Sequence, residues 1–508
     1  MSDVNIYDID LDQTPANYTP LSPLSFIRRS AAVYPDVTSL IHGKRRYTWK
    51  ETYARCKRLG SALAKRGIKK GDTVAVMASN TPEMYECAFG PAMIGAVVNT
   101  LNVRLDGDII GFSLNHGEAK VLITDTEFSA TIKVALEKIG RDIIVIDIDD
   151  PEYDGEGEKL GEMDYEAFLA TGDEDLEWDL PDNEWDAISL NYTSGTTGQP
   201  KGCMLTHRYW LTTGMVNAWR DGRRYARILA TTPFSYMDPQ WLLLMTIYQR
   251  GTLFVGRKQS ASRFSRWLAE HRIQFCLFPE AATKQPPAPH DNQNEVVRAN
   301  IYGVRASVHA ALEARYGLIA REAFGMTEIG SGLYMPMEAT DMVGSGSCGI
   351  PTPFRRTRIV DEAGHDLPDG EIGELLIGGP GLFLGYFRQP EASAAALRDG
   401  WFHTGDLFRR DTRGYHYIVG RKKDMIRRSG ENIACREVEG VLRDMDEIEE
   451  VALIAVPDDM RGEEVKAYVS LHNGHAGDIA MVERIMAYAA PRLASGAKLI
   501  LMTVPRPE

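Results

Sequence analysis

The chain has no C-x-x-C pair, no long uncharged stretch free of helix breakers and no basic excess, and each absence removes a class of function. Its six cysteines, Cys56, Cys87, Cys203, Cys276, Cys348 and Cys435, are scattered over 508 residues. That spacing argues against both a disulfide framework and a zinc cage. The longest uncharged run, Cys87 to Val103, is borderline in length for a membrane span and is interrupted by Gly90, Pro91, Gly95 and two asparagines. A buried helix-to-strand passage is the expectation there. The N-terminal MSDVNIYDIDLDQ is polar and acidic, without a secretory or transit pattern, so a cytoplasmic, reduced protein with no membrane span is expected. The net charge is −14, but eighteen acidic residues and the single Lys159 lie between Asp147 and Asp186, a local balance of −17 that leaves +3 elsewhere. No basic field for nucleic acid exists, and the acidic segment reads as a solvated surface excursion.

What is present is ordinary globular composition, 44% hydrophobic and 25% charged, in a chain too long for one core. Thr48-Trp49-Lys50-Glu51 is a capping box opening an amphipathic run that Gly67 closes. GDTVAVMASN, KVLITD, DIIVIDID and DAISLNYT read as strands between helical runs, and Thr81-Pro82-Glu83 starts a helix. This alternation predicts an α/β domain with a largely parallel sheet. From Gly349 to about Ile418 the pattern becomes short strands with Gly/Asp turns, as in FRRTRIV, GELLIGG and GYHYIVG, which predicts an antiparallel β unit. After Gly420 comes the charged GRKKDMIRRSGEN, then a compact mixed segment with EVEGVLRDM, EEVALIAVP and EEVKAYVSL. The expected division is therefore residues 1–420 and 421–508.

One stretch carries chemistry outright. In NYTSGTTGQPKG, residues 191–202, Thr193, Ser194, Gly195, Thr196, Thr197 and Gly198 set hydroxyls beside glycines, and Lys201 adds a charge. Glycines let backbone N–H groups converge on an anion with no Cβ in the way, and hydroxyls add donors. At an effective dielectric near 20, one charge pair at about 4 Å contributes about 4 kcal/mol before desolvation. The string is not the G-x-x-x-x-G-K-[ST] of mononucleotide kinases.

YTSGTTGQPKG resembles the signature of the adenylate-forming superfamily, which includes acyl-CoA synthetases, and further motifs follow in order. FGMTE is similar to the family's Y-G-x-T-E. The resemblance places Phe324 near adenine, Thr327 on phosphate and Glu328 on Mg²⁺; Met326, within the expected pocket range, would suit an apolar acid. GWFHTGDL implies that Asp406 receives the ribose hydroxyls, a role that suits a carboxylate because it can accept twice. GRKKDMIRRSGENI implies Arg421 at the ribose, Lys423 as hinge and Gly430 in the pantetheine channel. The implied fold is a large N-terminal domain of parallel-rich sheets with a β-barrel-like unit, plus a small mobile α+β C-terminal domain. The implied activity is that of a fatty-acid–CoA ligase or related acyl-CoA synthetase: ATP, Mg²⁺ and coenzyme A serve to convert a carboxylic acid to acyl-AMP and then to a thioester. Lys201, Thr327 and Glu328 would be catalytic. Dimers are common among such enzymes, and the sequence leaves a homodimer open.

Three departures qualify the resemblance. The lysine that such enzymes bring to the adenylation site from their C-terminal end falls beyond Glu508 when VPRPE is matched to its approach. Lys498 precedes the strand-like LILMTV and is not expected to replace it. A chain without that lysine is expected to be slower in the first half-reaction by about 10² to 10³. Tyr236 stands where many relatives have histidine, keeping an aromatic wall with a polar tip at the acid pocket. In YGVRAS, Gly303 is kept beside the adenine while Arg305 intrudes. It would face either a second acid group on the substrate or, the preferred reading, solvent. Transfer to a carrier-protein phosphopantetheine, or a protein that holds acyl-AMP and performs only the thioester half-reaction, remain alternatives at this level.

Overall fold

The structure, a computed structural model, describes residues 14–193, 200–428, 431–458, 462–493 and 499–503. These form two compact units, each discontinuous in sequence. The first comprises residues up to Phe275 with Met326–Gly330 and Pro380–Pro390; the second comprises Cys276–Gly325, Ser331–Gly379 and the remainder.

The first unit is built on an eight-stranded sheet in the order Gly385–Tyr386, Lys201–Thr206, Ala187–Thr193, Val97–Thr100, Thr73–Met77, Ala119–Asp125, Ile144–Ile148 and Met163–Asp164. From Ala187–Thr193 onward the neighbours run parallel. Thr73–Met77 is buried along its whole length, as its unbroken apolar run requires of a parallel strand covered on both faces. Ala75, Met77, Leu122, Ile110, Leu114 and Ile132 make one of its cores. The helix Trp49–Lys65 begins at the expected capping box, with Thr48 accepting from the Glu51 N–H and Glu51 accepting in return. Pro82–Glu86 starts behind Thr81 as expected. The uncharged run from Cys87 folds as a short 3₁₀ turn, Pro91–Ile94, reversing at Gly95 (φ 72°) into the strand Val97–Thr100. Among the described residues no helix is long and apolar enough to cross a membrane.

The acidic segment is more structured than its composition suggests. Met163–Asp164 joins the sheet edge, and Tyr165–Ala170 is a helix that buries Tyr165, Phe168 and Leu169. Three apolar residues in five suffice to dock one turn, a signal the surrounding charge hides. Asp147 and Asp150 are themselves buried. Burial raises the Asp150 pKa, but His42, Arg257 and Arg45 outweigh it and leave the carboxyl at about 2.

In the second unit Arg298–Ile301 and Ala320–Met326 pair in parallel across the helix Ala306–Tyr316. An antiparallel sheet follows: Arg356–Val360, Gly373–Gly378, Trp401–Arg410 and Leu397–Arg398, with His416–Arg421 pairing the far end of Trp401–Arg410. The C-terminal part has the strands Met425–Arg428, Glu431–Ala434, Ile448–Asp458, Gly462–Leu471 and Leu499–Thr503 and the helices Cys435–Arg443 and Ile479–Ala489. Their core includes Val438, Leu442, Val451, Val465, Val469 and Ile485. Within LILMTV, Leu499–Thr503 is a strand as read, parallel to Gly462–Leu471.

Candidate active site

Ala187–Thr193 and Lys201–Thr206 are antiparallel neighbours, with Thr193 opposite Lys201. The glycine–hydroxyl string thus lies in sequence between two neighbouring strands. Thr193 ends the first, its Oγ1 donating to the Lys201 carbonyl at 3.5 Å. Ser194, Gly195, Thr196, Thr197 and Gly198 lie outside the described residues, as does Gly430.

Lys201 opens the return strand with its Nζ 4.9 Å from the centre of the Tyr386 ring. The Tyr386 hydroxyl donates to Glu328 Oε1 at 2.9 Å, and the Phe383 N–H donates to the Glu328 carbonyl at 2.8 Å. Glu328 is buried, 7% exposed. Burial, and then the neighbouring Glu328 carboxylate, pushes the Tyr386 hydroxyl far above its ordinary range, so it stays a donor at any working pH. Burial and Glu328 likewise keep the adjacent Cys203 thiol protonated. Three remote segments of the first unit therefore meet here: the loop end at Lys201, the turn after Met326, and Gly385–Tyr386 at the sheet edge. Thr327 belongs to that turn, and its carbonyl accepts from the Tyr209 hydroxyl at 2.9 Å. Met326 ends the strand Ala320–Met326, half-buried. Tyr236 is 38% exposed and N-caps the helix Met237–Gln249. Its hydroxyl accepts from Asn102 Nδ2 at 3.4 Å.

The second unit gathers the others. Gly303 takes φ +64°, a left-handed conformation that favours glycine. Its N–H and that of Val304 donate to the two oxygens of Glu322, each at 3.0 Å. Burial raises the Glu322 carboxyl to about 7 despite those bonds. Phe324 stands edge-on to Phe408, centroids 4.9 Å apart. Asp406, buried, faces the exposed Arg421 across the sheet at 3.6 Å. Lys423 lies in an exposed turn, Lys422–Asp424, directly after that strand.

Sequence reasoning missed two residues. Tyr386 has no local signal in the sequence tying it to Glu328, 58 positions earlier. Glu374, in GELLIGG, is buried beneath the Asp406 turn, accepting the Gly405 N–H at 3.2 Å and pairing Lys422 at 3.3 Å.

The sequence matches the family model described as AMP-binding enzyme over residues 27–387 and the AMP-binding enzyme C-terminal domain over residues 437–500. It is 33% identical to an acetate/butyrate–CoA ligase of Arabidopsis thaliana, described as peroxisomal, over 92% of this chain and 87% of that protein. It is also 33% identical to an acetate–CoA ligase of Humulus lupulus, over 91% and 87%. Among solved structures it resembles ATP-bound MatB from Rhodopseudomonas palustris, with a TM-score of 0.82 and 25% identity over 94% of this chain and 95% of that one. It also resembles an anthranilate CoA ligase in complex with anthranoyl-AMP, with a TM-score of 0.85 and 21% identity over 96% and 95%.

Proposed function

The chain belongs to the AMP-binding enzyme family, and on that premise we propose that it is an ATP-dependent acyl-CoA ligase whose residues divide two half-reactions as follows. In the first, a carboxylate oxygen attacks the α-phosphorus of ATP, the bond to the β-phosphate breaks, and pyrophosphate leaves with the acyl-AMP formed. Thr193 and the string 194–198 hold the phosphates with Lys201 and Thr327. Tyr386 keeps the Glu328 carboxylate oriented and hydrogen-bonded. That carboxylate is one hard oxygen donor at the phosphates, which fits Mg²⁺, an ion held by one or two carboxylates plus substrate oxygens. Bound there it would neutralise charge on the leaving pyrophosphate. Asp406 and Arg421 take the ribose, and Gly303 and Phe324 border the adenine.

In the second half-reaction the CoA thiol gives up its proton, its sulfur bonds to the acyl carbon, and AMP leaves. Residues 421–508 form the mobile domain in this reading, turning at Lys423 so that the segment at Gly430 presents the thiol. The exposed turn Lys422–Asp424 and the gap between the two family matches support that boundary. Tyr236 and Met326 border the acid. The similarity to ligases for acetate, butyrate, 2-methylpropanoate and benzoate supports a small monocarboxylic acid. We place the enzyme in the cytoplasm; because some relatives are described as peroxisomal, cell fractionation is the test.

The observation that carries this reading is the convergence of Lys201, Glu328 and Tyr386 from three distant segments. Acid-dependent ATP–pyrophosphate exchange over aliphatic and aryl acids, followed by thioester formation with CoA, tests it. Exchange with no acid, or thioester only on a carrier-protein phosphopantetheine, would refute it.

A further inference from the structure

Arg305 lies between the strand Arg298–Ile301 and the helix Ala306–Tyr316, in the loop assigned above to the adenine border. Neither expected partner accounts for it. On one side its Nε donates to Glu280 Oε1 at 3.0 Å. On the other its Nη1 donates to the Arg443 carbonyl at 3.1 Å, with the Asp444 carboxylate 3.8 Å away. Two positions on, Ser307 Oγ donates to Asp444 Oδ1 at 3.2 Å. A third contact lies nearby: Arg436 Nη2 is 3.0 Å from where a Cβ at Gly303 would stand. All of these groups belong to the second unit.

Arg443 is the last residue of the helix Cys435–Arg443. The final carbonyls of a helix lack intrahelical partners and carry the negative end of its dipole, so a planar cation is the fitting cap. A guanidinium can bind on two sides at once, and here Glu280 fixes it from behind while its front grips the helix end. A solvated surface arginine needs neither contact.

We infer that Arg305 is a positioning residue for the thioester half-reaction. It clamps the helix Cys435–Arg443 to the loop 303–307, and with the helix the strand Glu431–Ala434 that leads into it from Gly430. The inference rests on the ligase reading, in which that segment presents the CoA thiol once residues 421–508 have turned. In the other arrangement Arg305 keeps Glu280 but loses Arg443 and Asp444. The clamp therefore biases the equilibrium only through contacts made in one state. For a charged, one-third exposed clamp the bias is about three- to fivefold.

Two readouts test this. Arg305→Ala is expected to slow thioester formation from supplied acyl-AMP and CoA by about three- to fivefold while pyrophosphate exchange and the KM for acid stay within about twofold. Arg305→Lys, which keeps charge but not the fork, recovers part of the loss. Separately, Ser307→Cys with Asp444→Cys reports docking without turnover, through the rate of disulfide formation under mild oxidation. The native cysteines are all buried and contribute little background. Adding Arg305→Ala to that pair removes the remaining bond to the Arg443 carbonyl and is expected to slow closure about threefold. Equal losses in both half-reactions, a change confined to the acid's KM, or closure unaffected by Arg305 would overturn the clamp. If the wild-type chain shows neither exchange nor thioester formation with any acid while the Ser307→Cys/Asp444→Cys variant still closes in an Arg305-dependent way, the ligase reading is refuted and the clamp stands apart from it.

Discussion

Replacing Tyr386 by phenylalanine isolates one hydrogen bond. The ring stays beneath the Lys201 ammonium at 4.9 Å, while the donor 2.9 Å from Glu328 Oε1 is removed. Glu328 is 7% exposed, so water replaces that donor poorly. A hydrogen bond to a buried charged group contributes about 1.5–3 kcal/mol, and 1.36 kcal/mol is a factor of ten in rate. If Glu328 must be held in place for the first half-reaction, Tyr386→Phe lowers kcat/KM for pyrophosphate exchange by about 10- to 150-fold. It also raises the free Mg²⁺ needed for half-maximal rate. Tyr386→Ala loses the cation–π contact as well, a further 0.5–1 kcal/mol or about two- to fivefold. The assay is initial-rate exchange at saturating acid over a Mg²⁺ titration, beside thioester formation from supplied acyl-AMP. Exchange within twofold of wild type in the phenylalanine variant would refute the reasoning. So would an alanine variant no worse than the phenylalanine one.

Other outcomes follow from the same geometry. If Asp406 receives the ribose as proposed, Asp406→Asn is expected to raise the KM for ATP about 10- to 100-fold with a smaller change in kcat; initial rates over an ATP series check it. Glu322 holds its proton to about pH 7 in the native state and loses it near 4.5 when unfolded, so its contribution to stability is full below about 4.5 and is lost as pH rises to about 7. The loss is at most about 3 kcal/mol, and Glu322→Gln should flatten it in guanidinium melts at pH 5 and pH 8. Tyr236→Phe removes only a long, exposed contact of 3.4 Å with Asn102 and should leave exchange within about threefold, whereas Tyr236→Ala should widen the range of acids accepted; the acid panel distinguishes them. Burial raises the thiol pKa of Cys56, Cys87, Cys203, Cys276, Cys348 and Cys435, so N-ethylmaleimide at neutral pH should spare activity and label all six only after unfolding, as read by mass spectrometry.

What the sequence disclosed and what it withheld divide along the range of the interactions. The capping box at Thr48 and the proline start at Pro82 are settled by groups within four positions of one another, and each forms as read. Lys201, Glu328 and Asp406 can be proposed from the sequence because each sits in an ordered string whose residues belong together chemically. Tyr386 and Glu374 sit in equally visible strings, but their partners lie 58 and 31 positions away, so no periodicity or spacing selects them. The acidic segment hid its helix because charge dominates composition while burial depends on which side chains share a face. Tyr165, Phe168 and Leu169 share one, while Glu162, Glu166 and Asp173 around them pair with Arg66, Arg55 and Lys65. Arg305 shows the limit most directly. Its chemistry, a planar cation with donors on two sides, is fixed by the sequence. Whether that chemistry meets a substrate, water or a helix end depends on what the fold carries to within about 3 Å, and here Glu280 and the Arg443 carbonyl, 25 and 138 positions distant, arrive together.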